Sequence, residues 1–370
     1  LKNTIIELLD SREKDVEIND QLLAYMNRKD DMNMYMNMEN YMDFIQKLNK
    51  KNNTGNNIDF SDEDLLSFMN YNIVMSTNFN NGSIVLNTDI NSNSGNAFKF
   101  LNEEPVGKEY LNFLTDNNKL LACGFANIDV ENYTSLVMSF LNSNNETYNE
   151  FNSFLVEMGI SENEIFNVFN GEIAFSLIDL EAPEKSISED FGEWNDDFFD
   201  KEFESSSNEP TPTILLTLGI NDQSSLMKLM ASAPVNIIEG QVIEIDESHH
   251  FLLLKDNKLH IGSHKELLDK LNELGSLKAY NKIKIDHPVY FYVNTDADSC
   301  PEGFSSTIEA EGGSEMFNSI MSLLSSIEVK GNNNQVSYEI QMSNSKVNSL
   351  KVIFDFVIEQ LNNNPELMYM

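Results

Sequence analysis

Two oxygen-rich loops come nearest to metal chemistry in this chain. Asp89, Asn91 and Asn93 stand at alternate positions with Gly95 close behind. An EF-hand loop also sets its first ligands at alternate positions, then places a Gly directly after the third and a Glu six residues further on. Here the Gly falls one place late and position 100 is Phe. The fit is therefore to hard-cation oxygen chemistry and not to the full motif. Asp296, Asp298 and Glu302 form the second such loop. Calcium is the one cofactor these residues would suit. Ordinary capping and turn roles account for them equally well, with no ion at all.

Other chemistries find less support. The five histidines are His249, His250, His260, His264 and His287. His260 and His264 are four apart, but across a predicted strand end and helix start, so they do not share a helix face as zinc-protease histidines do. No Gly-x-Ser-x-Gly occurs, and Cys123 lies inside an apolar strand, so nucleophilic catalysis has no foothold. GxGxxG and GxxxxGK[ST] phosphate loops are missing too. Carboxylates are so numerous that choosing a glycosidase-like pair would be arbitrary.

The segment from Glu181 to Pro212 is the most unusual in the chain. It holds eleven acidic residues and two lysines, interleaved with Phe191, Trp194, Phe198, Phe199 and Phe203. Purely solvating segments are poor in aromatics. A helical face made of these rings would dock on the protein itself or on a partner. The competing reading is a solvated hairpin tip.

Composition narrows the partners. The chain has 370 residues, 41% hydrophobic, with 24 basic against 60 acidic side chains and a net charge of −36. A field of that sign repels phosphate backbones and anionic headgroups, which argues against nucleic acid and membrane surfaces. No apolar run reaches the roughly 18 residues that a spanning helix needs. Cys123 and Cys300 form no metal-spaced cluster, and whether they pair is open. Leu1 to Leu9 is too short and too polar for a signal peptide. The expectation is a processed or truncated start, with any signal peptide or lipid anchor on a preceding segment.

The elements that would position these groups follow a recurring order. Met32, Met34, Met36 and Met38 alternate with polar or aromatic residues, which predicts a strand leading into a helix through Tyr41, Phe44 and Leu48. A hairpin spans Asn72 to Ile90 about Asn80-Asn81-Gly82, followed by a short helix near Ala97 to Leu101. Leu120 to Ala126 predicts the next strand. Asp129 would cap a helix from Val130 to Leu141, and Asn170-Gly171 would end the helical pattern after it. Glu172 to Leu180 and Thr213 to Leu218 predict a hairpin whose tip is the acidic segment, with a helix opened by Asn221-Asp222. A shorter copy has a strand at Gln241 to Ile245, a hairpin about Asp256-Asn257, and a helix capped by Ser263. The last copy runs from a strand at Val289 to Val293, through a helix at Met316 to Leu324 and a hairpin about Gly331, to a long helix opened by Ser345.

A strand–helix–hairpin–helix unit is thus traced three times in full and once in part. The expected fold class is α+β: antiparallel sheets with helices packed on one face. The expected divisions are 1–118, then 119–232 with the acidic insertion at 181–212, then 233–370 with the third and fourth units.

This order of motifs resembles an uncharacterised Bacteroidetes-restricted domain of unknown function found in secreted or lipid-anchored envelope proteins. Phe169-Asn170-Gly171-Glu172-Ile173-Ala174 resembles that family's turn into a strand, and the acidic insertion between Leu180 and Pro212 precedes an apolar strand as it does there. Phe251 to Gly262, with Ser263 and the Leu-rich helix, resembles a further segment, and Ile327 to Asn332 with the closing helix matches the family's end. The likeness covers most of Asp31 to Leu361. It lacks the N-terminal portion such proteins usually carry. It implies a location in the bacterial envelope, outside the cytoplasm, and brings no catalytic residues with it. The resulting expectation is a non-enzymatic envelope protein that binds or scaffolds an unknown protein or glycan partner. The alternative is a hydrolase of glycan or peptide that uses carboxylates or a bound metal.

Overall fold

The computed structural model describes residues 28–38, 41, 71–92, 100–114, 120–143, 145–181, 211–231, 237–245, 250–277, 283–296 and 315–363. The strands are β1 (Met32–Asn37), β2 (Tyr71–Asn80), β3 (Ser83–Ser92), β4 (Ala122–Asn127), β5 (Phe169–Glu181) and β6 (Thr211–Ile220). They continue as β7 (Val242–Glu244), β8 (Phe251–Lys255), β9 (Lys258–Gly262), β10 (Val289–Asn294), β11 (Leu324–Gly331) and β12 (Gln335–Met342). All lie in one sheet, in the order β1-β2-β3-β12-β11-β10-β4-β5-β6-β9-β8-β7. Every neighbouring pair is antiparallel. The helices are α1 (Val130–Ser143), α2 (Asn145–Met158), α3 (Glu162–Asn167), α4 (Gln223–Ala231), α5 (Lys265–Leu274), α6 (Glu315–Leu323) and α7 (Ser349–Asn363), with a short 3-10 helix at Lys108–Phe113. No helix among the described residues is long and apolar enough to cross a membrane.

The class is α+β, as the pattern predicts. The sheet is continuous across the expected divisions. β3 pairs with β12, and β4 pairs with β10, so strands from 233–370 sit between those of the two earlier stretches.

Local chemistry sets several joints. Gly82 takes φ +76° in the two-residue turn between β2 and β3, and Asp256 and Asn257 take φ 51° and 55° between β8 and β9. In the β8–β9 turn, positive φ at both residues matches the right-handed twist of the flanking strands. Asp129 accepts from the Asn132 backbone at 3.0 Å and starts α1, and Asp222 accepts from Ser224 and Ser225 at 2.9 and 3.3 Å and starts α4.

Three expected roles change. Gly171 does not end a helix: α3 stops at Asn167, and Gly171 sits inside β5 at φ +93°, where the register against β6 shifts between Phe169 and Ile173. Ser263 does not cap α5. Its hydroxyl accepts from the Ile214 backbone at 3.0 Å, and His264 occupies the cap position without a side-chain cap bond. Ser345 lies in a turn, and α7 begins four residues later, where the Asn348 side chain accepts from Leu350 at 3.2 Å.

Helices on one face alone do not describe the β4–β9 end. In β8 the three consecutive leucines Leu252, Leu253 and Leu254 are all buried. Alternate residues of a strand point to opposite faces. Leu253 joins a core with Cys123, Phe125, Tyr110, Leu215, Tyr290 and the α5 residues Leu268 and Leu271. Leu252 and Leu254 join a second core with Ile220, Leu259 and the α4 residue Leu226. Burying both faces of a strand demands a continuous apolar run, and β8 supplies one.

Candidate functional site

The β10–β11–β12–β3 region carries a polar row on the same face of the sheet as the first core. Opposed residues of an antiparallel pair share a face. The register sets Asn87 opposite Ser337, Ser337 opposite Lys330, and Lys330 opposite Tyr290. Gln335 stands opposite Asp89 on that face, and Glu339 opposite Glu328. The alternation Gln335-x-Ser337-x-Glu339-x-Gln341 brings this about: β12 turns polar atoms to one side and Val336, Tyr338, Ile340 and Met342 to the other.

Arg28 and His287 complete a cleft of about 270 Å³ with Asn87, Asp89, Lys330 and Gln335. A hollow sharing Arg28 and Asp89 extends it past Asn91, Asn332 and Asn334. Arg28 and Lys330 are each matched from within the chain, and the His287 ring is hydrogen-bonded beside them. Arg28 Nη2 donates to Asp89 Oδ2 at 2.8 Å, Lys330 Nζ lies 2.9 Å from Glu328 Oε2, and His287 Nδ1 lies 2.7 Å from Asp286 Oδ1. Gln335 Nε2 donates to the other Asp89 oxygen at 2.9 Å, and Ser337 Oγ donates to Asn87 Oδ1 at 2.8 Å. The Lys330 ammonium also sits 5.9 Å from the Tyr290 ring centre.

Burial works against the Lys330 ammonium, but Glu328, with Asp286 and Glu339 behind it, holds its pKa above the usual lysine value. Burial likewise opposes ionisation of Asp286, yet its bond to His287 and the nearby charges hold that carboxyl below its usual range. The result is a surface rich in amides and hydroxyls, in which Arg28 and Lys330 are each met by a carboxylate.

The predicted site residues are only partly brought together. Asp89 and Asn91 line the cleft, and Asn93 lies outside the described residues. Both Asp89 oxygens are engaged, one of them by a guanidinium, which is the wrong charge to share with calcium. The Asp296 backbone donates to Asn294 Oδ1 at 3.2 Å, and Asp298 and Glu302 lie outside the described residues. No group of three or more His, Cys, Asp or Glu positioned for a metal occurs among the described residues. Phe191, Trp194, Phe198, Phe199 and Phe203 lie outside them as well. The pattern of the chain did not single out Arg28, Lys330, His287 or Gln335. The period-two polar alternation of β12 is the signal that would have found Gln335 and Ser337.

Elsewhere the titratable groups serve the fold. His260, 2% exposed on β9, shares a 2.9 Å hydrogen bond with Thr217 and meets Phe113 edge-on at 4.9 Å. Burial, aided by Lys258 and Lys255, pushes its pKa down to about 3. The Cys123 thiol is buried on β4, and burial raises its pKa, with Glu328 adding to the effect. Tyr110 is fully buried beneath Lys258, whose ammonium lies 5.3 Å from the ring centre. Burial first, then the Glu172 charge, raises the Tyr110 pKa, although its hydroxyl makes no hydrogen bond of normal geometry. Glu172 accepts from the Gly107 backbone and Asn170 Nδ2 at 2.8 and 2.9 Å, which ties the start of the 3-10 helix to β5.

A scan of family profiles, a search of curated proteins and a search of solved structures each found no match for this chain.

Proposed function

We propose that this chain is a non-enzymatic binding or scaffolding protein of the bacterial envelope, and that its ligand docks on the polar face of β3, β12 and β11. One observation carries this reading: the Arg28 and Lys330 charges are each met by a carboxylate of the same chain. What the cleft then offers is hydrogen bonding from Asn87, Asn332, Gln335 and Ser337. That chemistry suits a neutral, polar chain such as a glycan or a peptide backbone. Among the described residues three carboxyls are held off their usual range, Glu164, Asp222 and Asp286, and all three are held below it. A carboxyl acting as a general acid needs the opposite shift. The envelope setting rests on the family resemblance.

The repeated unit belongs to the same proposal. β4 pairs with β5, β7 with β8, β10 with β11 and β1 with β2, so each lone strand lies beside the hairpin that follows it. This supports four related units merged into one sheet.

Titration calorimetry with cello-hexaose, N-acetylchito-hexaose and malto-hexaose tests the ligand class. One of these neutral sugars should bind without turnover, with an affinity insensitive to salt. Asn87→Ala combined with Ser337→Ala should weaken it about tenfold, because each lost hydrogen bond is worth about 0.5–1.5 kcal/mol. Binding only to charged ligands, with a steep salt dependence, would remove the reading.

A hydrolase remains the second reading because Glu328 and Glu339 oppose each other across β11 and β12 on the same face. Directly opposed Cβ atoms lie about 4.5–5.5 Å apart, which brings two carboxyls near the spacing of a retaining glycosidase. Glycan cleavage that Glu339→Gln abolishes, with the melting temperature unchanged, would establish this reading over the first.

A further inference from the structure

Among the described residues, the strand at one end of the sheet carries none of the devices that normally blunt an edge. β1 reads Met-Asn-Met-Tyr-Met-Asn, with no charge, proline or glycine. Its register against β2 runs unbroken from Met32 opposite Thr77 to Asn37 opposite Asn72. Sheet edges are usually short, charged, bulged or covered, because their open N–H and C=O groups template further pairing. The other end obeys that rule: β7 has three residues, ends on Glu244 and packs against α5. β1 instead leaves Met32 61% and Met34 49% exposed.

The sheet itself contains an example of what such an edge accepts. β4 and β10 each pair on one side with the first strand of the hairpin that follows, as β1 does with β2. Their other edges pair with each other, antiparallel, from Val289 opposite Ala126 to Val293 opposite Ala122. The outer edge of β1 is the topological equivalent of those two edges, and it has no such mate among the described strands. Beside it, α7 packs over β2 and leaves Leu350, Phe354, Val357 and Ile358 exposed. Their spacing puts them on one side of the helix.

We propose that β1 pairs antiparallel with β1 of a second copy of this chain about a two-fold axis, joining two sheets into one. Identical antiparallel strands meet isologously, so the contact closes at two copies. Stable interfaces bury roughly 1,200–2,000 Å² in total, more than a six-residue strand pair supplies, and the methionines with the α7 stripe add the apolar remainder. A net charge of −36 opposes the approach of two copies. Salt screens that repulsion while leaving backbone and apolar contacts intact, so this dimer should tighten as salt rises, unlike one held by ion pairs.

Sedimentation velocity of the whole chain, over a concentration series at low and high salt, tests this. A monomer–dimer equilibrium that shifts toward dimer at high salt is the expected result. Met32→Lys combined with Met34→Lys should weaken it about tenfold or more, because charges on an edge strand oppose pairing and like charges would meet across the two-fold axis. Both side chains are exposed, so far-UV circular dichroism and the melting temperature should stay as in the parent. Hydrogen exchange of the unmodified protein is the independent measurement: β1 amides should gain protection in the dimer. A monomer at every concentration in high salt, or β1 amides exchanging alike in monomer and dimer, would overturn the proposal.

Discussion

The protein should lose stability steeply as pH falls from neutral toward 3, and a Thr217→Val/His260→Leu double variant should lose much less. His260 has an ordinary pKa of 6.5 and a folded value of about 3, set first by burial and then by Lys258 and Lys255. Above 6.5 the imidazole is neutral in both states and contributes no pH dependence. Between the two values the unfolded chain binds a proton that the folded chain refuses, so falling pH favours unfolding. The slope is about 1.36 kcal/mol per pH unit, which accumulates to on the order of 4 kcal/mol across the window. Protonation of the many carboxylates also relieves repulsion over the same range, so the informative quantity is the difference between parent and variant. Replacing both partners of a buried hydrogen bond with apolar groups is nearly neutral in itself. Urea unfolding of the two proteins across the pH series checks this, and parallel curves would place the His260 ring in water.

Gly171→Ala should be among the most damaging single substitutions in the sheet. A Cβ at Gly171 would lie 1.9 Å from the Ile128 carbonyl oxygen, at a residue whose φ is +93°. The Gly171 carbonyl accepts from the Ile128 backbone at 2.8 Å, so the two segments cannot separate without breaking the link between β5 and the start of α1. Strain of this kind, with loss of the bond, should cost about 3–5 kcal/mol. Gly159→Ala is the matched control. Gly159 also has positive φ, at +64°, but no atom lies within 4 Å of its Cβ position. That substitution should cost only the left-handed penalty of about 1–2 kcal/mol. Guanidinium unfolding midpoints measure both, and equal losses would show that crowding at Ile128 plays no part.

Short-range features were the legible ones. The strands and helices follow apolar periodicity, and the turns follow residues that tolerate positive φ, such as Gly82 and Asp256-Asn257. Caps were read well where an Asp stood directly before the apolar pattern, as at Asp129 and Asp222. They were misread at Ser263 and Ser345, because a serine before a helix has other partners available and only the fold decides which one it takes. Gly171 was read as a helix stop because a positive-φ glycine serves a bulge equally well.

By itself, the sequence determined the α+β class, most strands and helices, and the extreme negative charge. The tertiary structure alone decided which edges meet. Hairpins form locally, but pairing β3 with β12 joins residues more than 240 positions apart, and several apolar strands could have competed for that edge. That one pairing sets Asn87 and Asp89 beside Ser337 and Gln335, and brings Arg28 over the cleft. No local spacing encodes such a cleft, because its members become neighbours only when the sheet closes over them.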